Sequence, residues 1–325
     1  MLKKLLKNKY PLLSLINFLL ALVARNTRIF NQMRGLIDQL DAERADRLAF
    51  THVNASQRFA NEPINYVDIG SRDGLLSFLQ PFEKILNIIF FEPDYEEFNK
   101  LKNTYRNQRV QIFNTAVSDT KSKKILNLTR SRGCSSLLHP SGHMLSLLAT
   151  EGDGVGRFSV EDKIEVATQR IEEIFEFPKI SLDILKIDTQ GSEFEILCSL
   201  GAHRPFLICS ECSTTELYKN QKTLFSIGLL LEDMGYFPIH LMERQLLPRT
   251  ATKWRGSIQV HGDVIFVPDN SVKGREIIER DVEKWFASLC MHGYMDFALW
   301  QIEELKLSKP ELITQTEDLL RKVSG

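Results

Sequence analysis

The stretch YVDIGSRDG, Tyr66 to Gly74, reads as the end of a buried strand entering a tight glycine turn, with Asp68 two residues before the first glycine. Outward from it, short apolar runs alternate with amphipathic stretches, the pattern of strands and helices in βαβ units. The runs predict strands at Tyr66–Ile69, Ile88–Phe91, Val110–Phe113, Lys124–Leu128, Leu182–Ile187, Phe206–Glu211, Phe237–Leu241 and Asp263–Val267. Helices are predicted at Glu96–Tyr105, Ser192–Leu200 and Thr223–Met234. The expected fold is therefore α/β, a Rossmann-like sheet over residues 64–269 with helices on both faces. Residues 1–63 read as a helical N-terminal extension, with Ile37, Leu40 and Leu48 as apolar positions. Residues 270–325 read as a C-terminal one, with helices at Lys273–Cys290, Tyr294–Leu305 and Pro310–Val323.

A chain of 325 residues is long enough for one large domain with such appendages. The net charge of -1 excludes a dedicated nucleic-acid binder, which carries a strong basic bias. The odd number of cysteines, 5, without framework spacing, points to a reducing, cytoplasmic setting. At the N-terminus Lys3, Lys4, Lys7 and Lys9 precede an apolar run from Leu12 to Ala24. Arg25 follows with no cleavage-site pattern, and the run falls short of the ~20 apolar residues of a membrane span. Two readings stay open for residues 1–30: a helix packed on the core or in a homo-oligomer, and a peripheral membrane contact.

Which ligand the glycine turn holds follows from what it lacks. A dinucleotide site wants G-x-G-x-x-G, and a P-loop wants G-x-x-x-x-G-K-[ST]. Here Gly70 and Gly74 enclose Ser71, Arg72 and Asp73, and neither phosphate motif fits. The second strand ends in IIFFEPD, which puts Glu92 at its carboxyl tip, where a carboxylate accepts hydrogen bonds from both ribose hydroxyls. Acids at both tips suit a cationic nucleoside without phosphate, and S-adenosylmethionine is such a molecule. The bland alternatives are a strand-end cap for Asp68 and a surface acid before a turn for Glu92.

The series YVDIGSRDG, FFEPDYEEFNKL, NTAVSD, SSL and ILKIDTQGSEFEILCSLGA resembles the FkbM family of S-adenosylmethionine-dependent methyltransferases, over roughly Tyr66 to Val267. The resemblance implies a class I methyltransferase fold and O-methylation, often of sugar or polyketide-type hydroxyls. It implies cofactor contacts from Asp68, Gly70, Ser71, Arg72, Gly74 and Glu92. It places adenine near Asn114, Ala116 and Asp119, with Gln190 on the same rim. At position 72 the family commonly has Asn, and this chain has Arg72. An arginine there either serves as a charge-assisted donor to the methionine carboxylate or marks an altered site.

An alcohol nucleophile needs its proton removed, and a carboxylate within hydrogen-bond reach is an ordinary solution. Asp188 is the first candidate for catalytic base and Glu211, in LICSEC, the second; helix capping or cofactor orientation is the alternative for both. A divalent metal at this pair is only weakly supported, and none is expected. His139 and His143 of HPSGH, His240 and His261 carry no more than position. Cys209 and Cys212 lack the second pair that a structural zinc needs, and read as buried packing. Tyr218 and Lys222 match the Y-x-x-x-K of short-chain dehydrogenases, a rival that the glycine turn disfavours. The other rival is a degenerate methyltransferase fold acting as a binding module. The acceptor expected is a small molecule or glycan, with the segment Arg130–Asp162 and the C-terminal helices forming its walls.

Overall fold

The computed structural model describes residues 57–142, 148–149, 156–175, 180–241, 244–248 and 258–308. The expected N-terminal helix with its membrane or oligomer contact, the helix Pro310–Val323 and His143 lie outside the described residues. The strands run β1 Ile64–Ile69, β2 Leu86–Phe91, β3 Val110–Phe113, β4 Ala116–Val117, β5 Ser122–Thr129, β6 Leu148–Ala149, β7 Val160–Gln169, β8 Ile184–Ile187, β9 Leu207–Ser213, β10 Tyr236–Leu241, β11 Arg244–Pro248 and β12 Ile258–Pro268. Helices are α1 Gln57–Asn61, α2 Tyr95–Thr104, α3 Ile171–Ile174, α4 Glu193–Cys198, α5 Leu224–Asp233, α6 Val272–Glu279, α7 Val282–Met291 and α8 Met295–Ser308.

The main sheet has the order β3-β2-β1-β8-β9-β12-β11-β6, with β10 also paired to β12. β3, β2, β1, β8 and β9 are parallel. β12 is antiparallel to both β9 and β10. The central strands are apolar on both faces because the sheet is covered on both sides, so they read as continuous runs rather than alternating ones. β1 and β2 each carry a single residue that is not fully buried. The carboxyl tips of β1, β2 and β8 converge: Gly70 N–H donates to Phe91 O at 3.0 Å, and Asp188 N–H to Ile69 O at 2.9 Å.

Two departures from the sequence pattern bear on the site. VEDKIEVATQ, not expected as a strand, forms β7, which pairs with β4 and β5 in a separate three-stranded sheet. The predicted strand Lys124–Leu128 therefore belongs to this small sheet, whose Ala116, Leu126 and Leu128 make their own apolar cluster. The expected helix Lys273–Cys290 is broken in two. Asp281 takes an extended φ of -163° and its carboxylate accepts the Lys284 N–H, capping α7 afresh. That restart turns Trp285, Phe286 and Leu289 into the same hydrophobic core as the sheet, and Arg58 of α1 bonds to Asp281 at 2.6 Å. No described helix is long and apolar enough to cross a membrane.

Candidate active site

One cavity of about 900 Å³ opens over the carboxyl tips of β1, β2 and β8. Its floor is the turn Ile69–Gly74. Gly70 sits at φ +85°, and a Cβ there would fall 2.0 Å from the Asp188 carbonyl oxygen. Only glycine lets these two backbones meet. After the turn the chain enters a 3-10 segment, Ser77–Ile85, with no capping side chain. The β1 turn thus lacks the α-helix N-terminus that a Rossmann pyrophosphate sits on.

Glu92 lines the cavity and is 6% exposed. Its Oε1 accepts the Asp94 N–H at 2.8 Å, and Oε2 has no hydrogen-bond partner among the described residues. Burial pushes its carboxyl up to about 7, with Asp94 and Glu97 adding repulsion. A carboxyl whose folded pKa exceeds its ordinary 4.5 favours folding below that value, and the benefit is lost as pH rises toward about 7. Glu92→Gln is therefore expected to stabilise the ligand-free protein at pH 8, by on the order of 1–3 kcal/mol, and to change little at pH 4.5. Urea unfolding at the two pH values checks this; a loss at pH 8 contradicts it.

Ala116, Val117, Leu126 and Leu137 make an apolar part of the same cavity wall. Beside the turn, Asp188, Thr189 and Gln190 line the cavity from the end of β8. Gln190 has a positive φ of 60°. Its amide donates to Asp188 Oδ1 at 2.8 Å and also to Glu211 Oε2, while its carbonyl accepts from the Tyr218 hydroxyl at 3.1 Å. Glu193 holds this bend by accepting from Thr189 N–H and Gly191 N–H at 3.0 and 3.1 Å. Burial, together with the nearby Glu211 charge, pushes the Glu193 carboxyl up to about 8.

Gly70, Ser71, Arg72, Gly74, Glu92, Ala116, Asp188 and Gln190 are thus brought together around one cavity. Four expected residues are not, and each has a physical reason. Asp68 is fully buried behind the turn. Parallel register sets it opposite Lys186, whose Nζ is 3.1 Å from Asp68 Oδ1. Its charge is satisfied inside the sheet rather than offered to a ligand. Burial raises the Asp68 carboxyl. Burial also pulls on Lys186, but Asp68 and Asp188 outweigh it and hold the ammonium above its ordinary value. Asn114 is exposed, and its amide braces the Glu92 and Pro93 carbonyls at 3.0 and 3.1 Å. Asp119 lies off the cavity beside Lys124, at 3.3 Å. Slight burial there is outweighed by hydrogen bonds from Ser118, Lys124 and Thr120, which hold its carboxyl low. Glu211 is screened from the cavity by Gln190 and accepts from His261 at 3.0 Å. Burial raises its carboxyl despite that bond.

Arg72, read as a donor to a ligand carboxylate, lines the cavity but also reaches Glu97 at 3.4 Å. Sequence reasoning missed Lys186 as a wall residue, along with Arg132, Asp263 and His292. The lysine stood inside ILKIDTQG, where its neighbour Asp188 drew attention; the others sit outside any recognisable motif. Tyr218 is buried on Gln190 and Cys134, away from the cavity, and Lys222 is exposed, so the dehydrogenase pair is not assembled. Among the described residues no cluster of three or more His, Cys, Asp or Glu could hold a metal.

Counted along the parallel half and then through the antiparallel pair, the core order is β3-β2-β1-β8-β9-β12-β10. A reversed last strand slotted between its neighbours, over a cavity at the first glycine turn, defines the class I methyltransferase sheet. The chain belongs to the FkbM methyltransferase family: residues 68–238 match the Methyltransferase FkbM domain. No curated protein matches the sequence. Among solved structures, Precorrin-6y C5,15-methyltransferase from Geobacter metallireducens is similar at a TM-score of 0.30 and 10% identity, over 68% of this chain and 87% of that one. The 1,6-didemethyltoxoflavin-N1-methyltransferase of Burkholderia thailandensis, solved with S-adenosylhomocysteine, gives 0.28 and 12%, over 77% and 89%. Likenesses this loose carry no weight of their own, and the class rests on strand order and family.

Proposed function

We propose that this protein is an S-adenosylmethionine-dependent O-methyltransferase whose acceptor is a hydroxyl of a sugar, a glycan or a related small molecule. The observation that carries the reading is that Glu92 and Asp188 line a single cavity floored by a glycine turn without a phosphate cradle. The residues fit the cofactor. The volume, about 900 Å³, lies within the ~300–1,000 Å³ of small-molecule sites. Glu92 has an oxygen to spare for ribose hydroxyls, and Ala116, Leu126 and Leu137 offer an apolar surface for a purine. The turn Gly70–Gly74 lines the cavity and offers a backbone surface to the amino-acid end. When bound, S-adenosylmethionine supplies a methyl group on a sulfonium.

The chain's own contribution is alignment and proton removal. Gln190, fixed at both ends, keeps the Asp188 carboxylate turned into the cavity, where it accepts the proton of the acceptor hydroxyl. Lys186, between Asp68 and Asp188, balances the negative charge at the base of the site. Glu211 acts on Gln190 and is a positioning residue. Asp188→Asn keeps the shape and loses the proton acceptor, so turnover should fall on the order of 10²-fold with cofactor affinity retained. Transfer of a labelled methyl group to a panel of sugars and glycans tests this. Cofactor binding without turnover on any hydroxyl acceptor would favour a binding module instead.

A further inference from the structure

We infer that the acceptor carries an anionic group, a carboxylate or a phosphate on the sugar, seated against Arg132 and Arg157. This rests on the methyltransferase reading and deepens it. Arg132 opens the short turn Arg132–Cys134 after β5, and Arg157 lies in the turn Gly156–Phe158 before β7. Both line the cavity. The other cations in its wall are matched: Arg72 by Glu97 and Lys186 by Asp68. Arg132 and Arg157 have no carboxylate partner among the described residues. Arg132 is half-buried, and its buried Nη1 has no hydrogen-bond partner, so the guanidinium is under-satisfied as it stands.

Arg157 is exposed and Arg132 only half-buried, but the turns that carry them are tied down. Arg157 Nε donates to Cys134 Sγ at 3.2 Å, and its carbonyl accepts the Ser131 N–H at 3.0 Å. The Tyr218 hydroxyl reaches the Cys134 carbonyl at 2.9 Å, and Ser136 Oγ donates to the Gln190 carbonyl at 2.7 Å. Cys134 and Gln190 are thereby tied through one tyrosine, which fixes the Arg132 turn relative to Asp188. An arginine pair tied to the segment that carries the base recognises an anion on the acceptor.

The test uses the full chain saturated with S-adenosylhomocysteine, titrated with glucose, glucuronate and glucose 6-phosphate. At least one anionic sugar is expected to bind tenfold or more tighter than glucose, and the better of the two identifies the group. Arg132→Ala/Arg157→Ala should abolish that preference, Arg132→Lys/Arg157→Lys should keep part of it, and both should unfold on heating as the wild type does. Equal binding of glucose, or a preference that survives the double alanine variant, overturns the inference. So does loss of S-adenosylhomocysteine binding in that variant, which would assign the arginines to the cofactor. Wild-type protein that fails to bind S-adenosylhomocysteine removes the parent reading and this one with it.

Discussion

Gly70→Ala should unfold or nearly unfold the protein, at a cost on the order of 3 kcal/mol or more. Two independent penalties meet at that position. The residue sits at φ +85°, in the region L side chains rarely enter, and the new Cβ would lie 2.0 Å from Asp188 O and 2.9 Å from its carbonyl carbon. Both contacts are backbone, so no side chain can swing aside. Relief requires moving β8 away from β1, which breaks the Asp188 N–H bond to Ile69 O and opens the floor of the cavity. Urea unfolding measures the loss. Gly228→Ala provides the internal control: it lies inside α5 with nothing within 4 Å of where its new methyl group would sit, and should be neutral or stabilising by up to about 1 kcal/mol. Equal stability of the two variants would show that the close approach of β1 and β8 is not what holds the turn.

Lys186→Met should cost about 3–5 kcal/mol, because it strands a fully buried carboxylate. The variant should also acquire a pH dependence. Without the ammonium, burial and the Asp188 charge push the Asp68 carboxyl further above its ordinary 3.8. A carboxyl raised in the folded state supports folding below its unfolded pKa, and that support is lost as pH rises through the folded value. Lys186→Met should therefore be less unstable at pH 5 than at pH 8. Adding Asp68→Asn should restore much of the loss, since a matched neutral pair strands no charge. Denaturation of the two variants at both pH values checks this, and a double variant no better than the single one contradicts the pairing. In the same light, loss of ligand binding in Asp68→Ala reports a disturbed floor rather than a lost contact.

The parts of this molecule that were legible in the sequence are those set by local pattern. Apolar runs gave the strands at Ile88–Phe91 and Phe206–Glu211, because strands covered on both faces cannot alternate. Glu92 stood out because a strand tip is a fixed place in an open sheet. What was hidden depends on pairing across long separations. Asp68 looks like a ligand acid until β8 brings Lys186 opposite it, 118 residues later. Glu211 looks like a catalytic acid until Gln190 folds over it. The Arg132 turn is held by Tyr218, a contact spanning 84 residues. The break at Asp281 was missed because helical periodicity runs through it, and only the cap geometry restarts the helix.

The central claim is that the cavity at Gly70 and Glu92 holds S-adenosylmethionine, and calorimetric titration of the purified chain tests it most directly. Saturable one-to-one binding in the wild type, lost in Glu92→Ala while that variant stays folded, is the predicted result. No binding in the wild type, or unchanged affinity in Glu92→Ala, would contradict it.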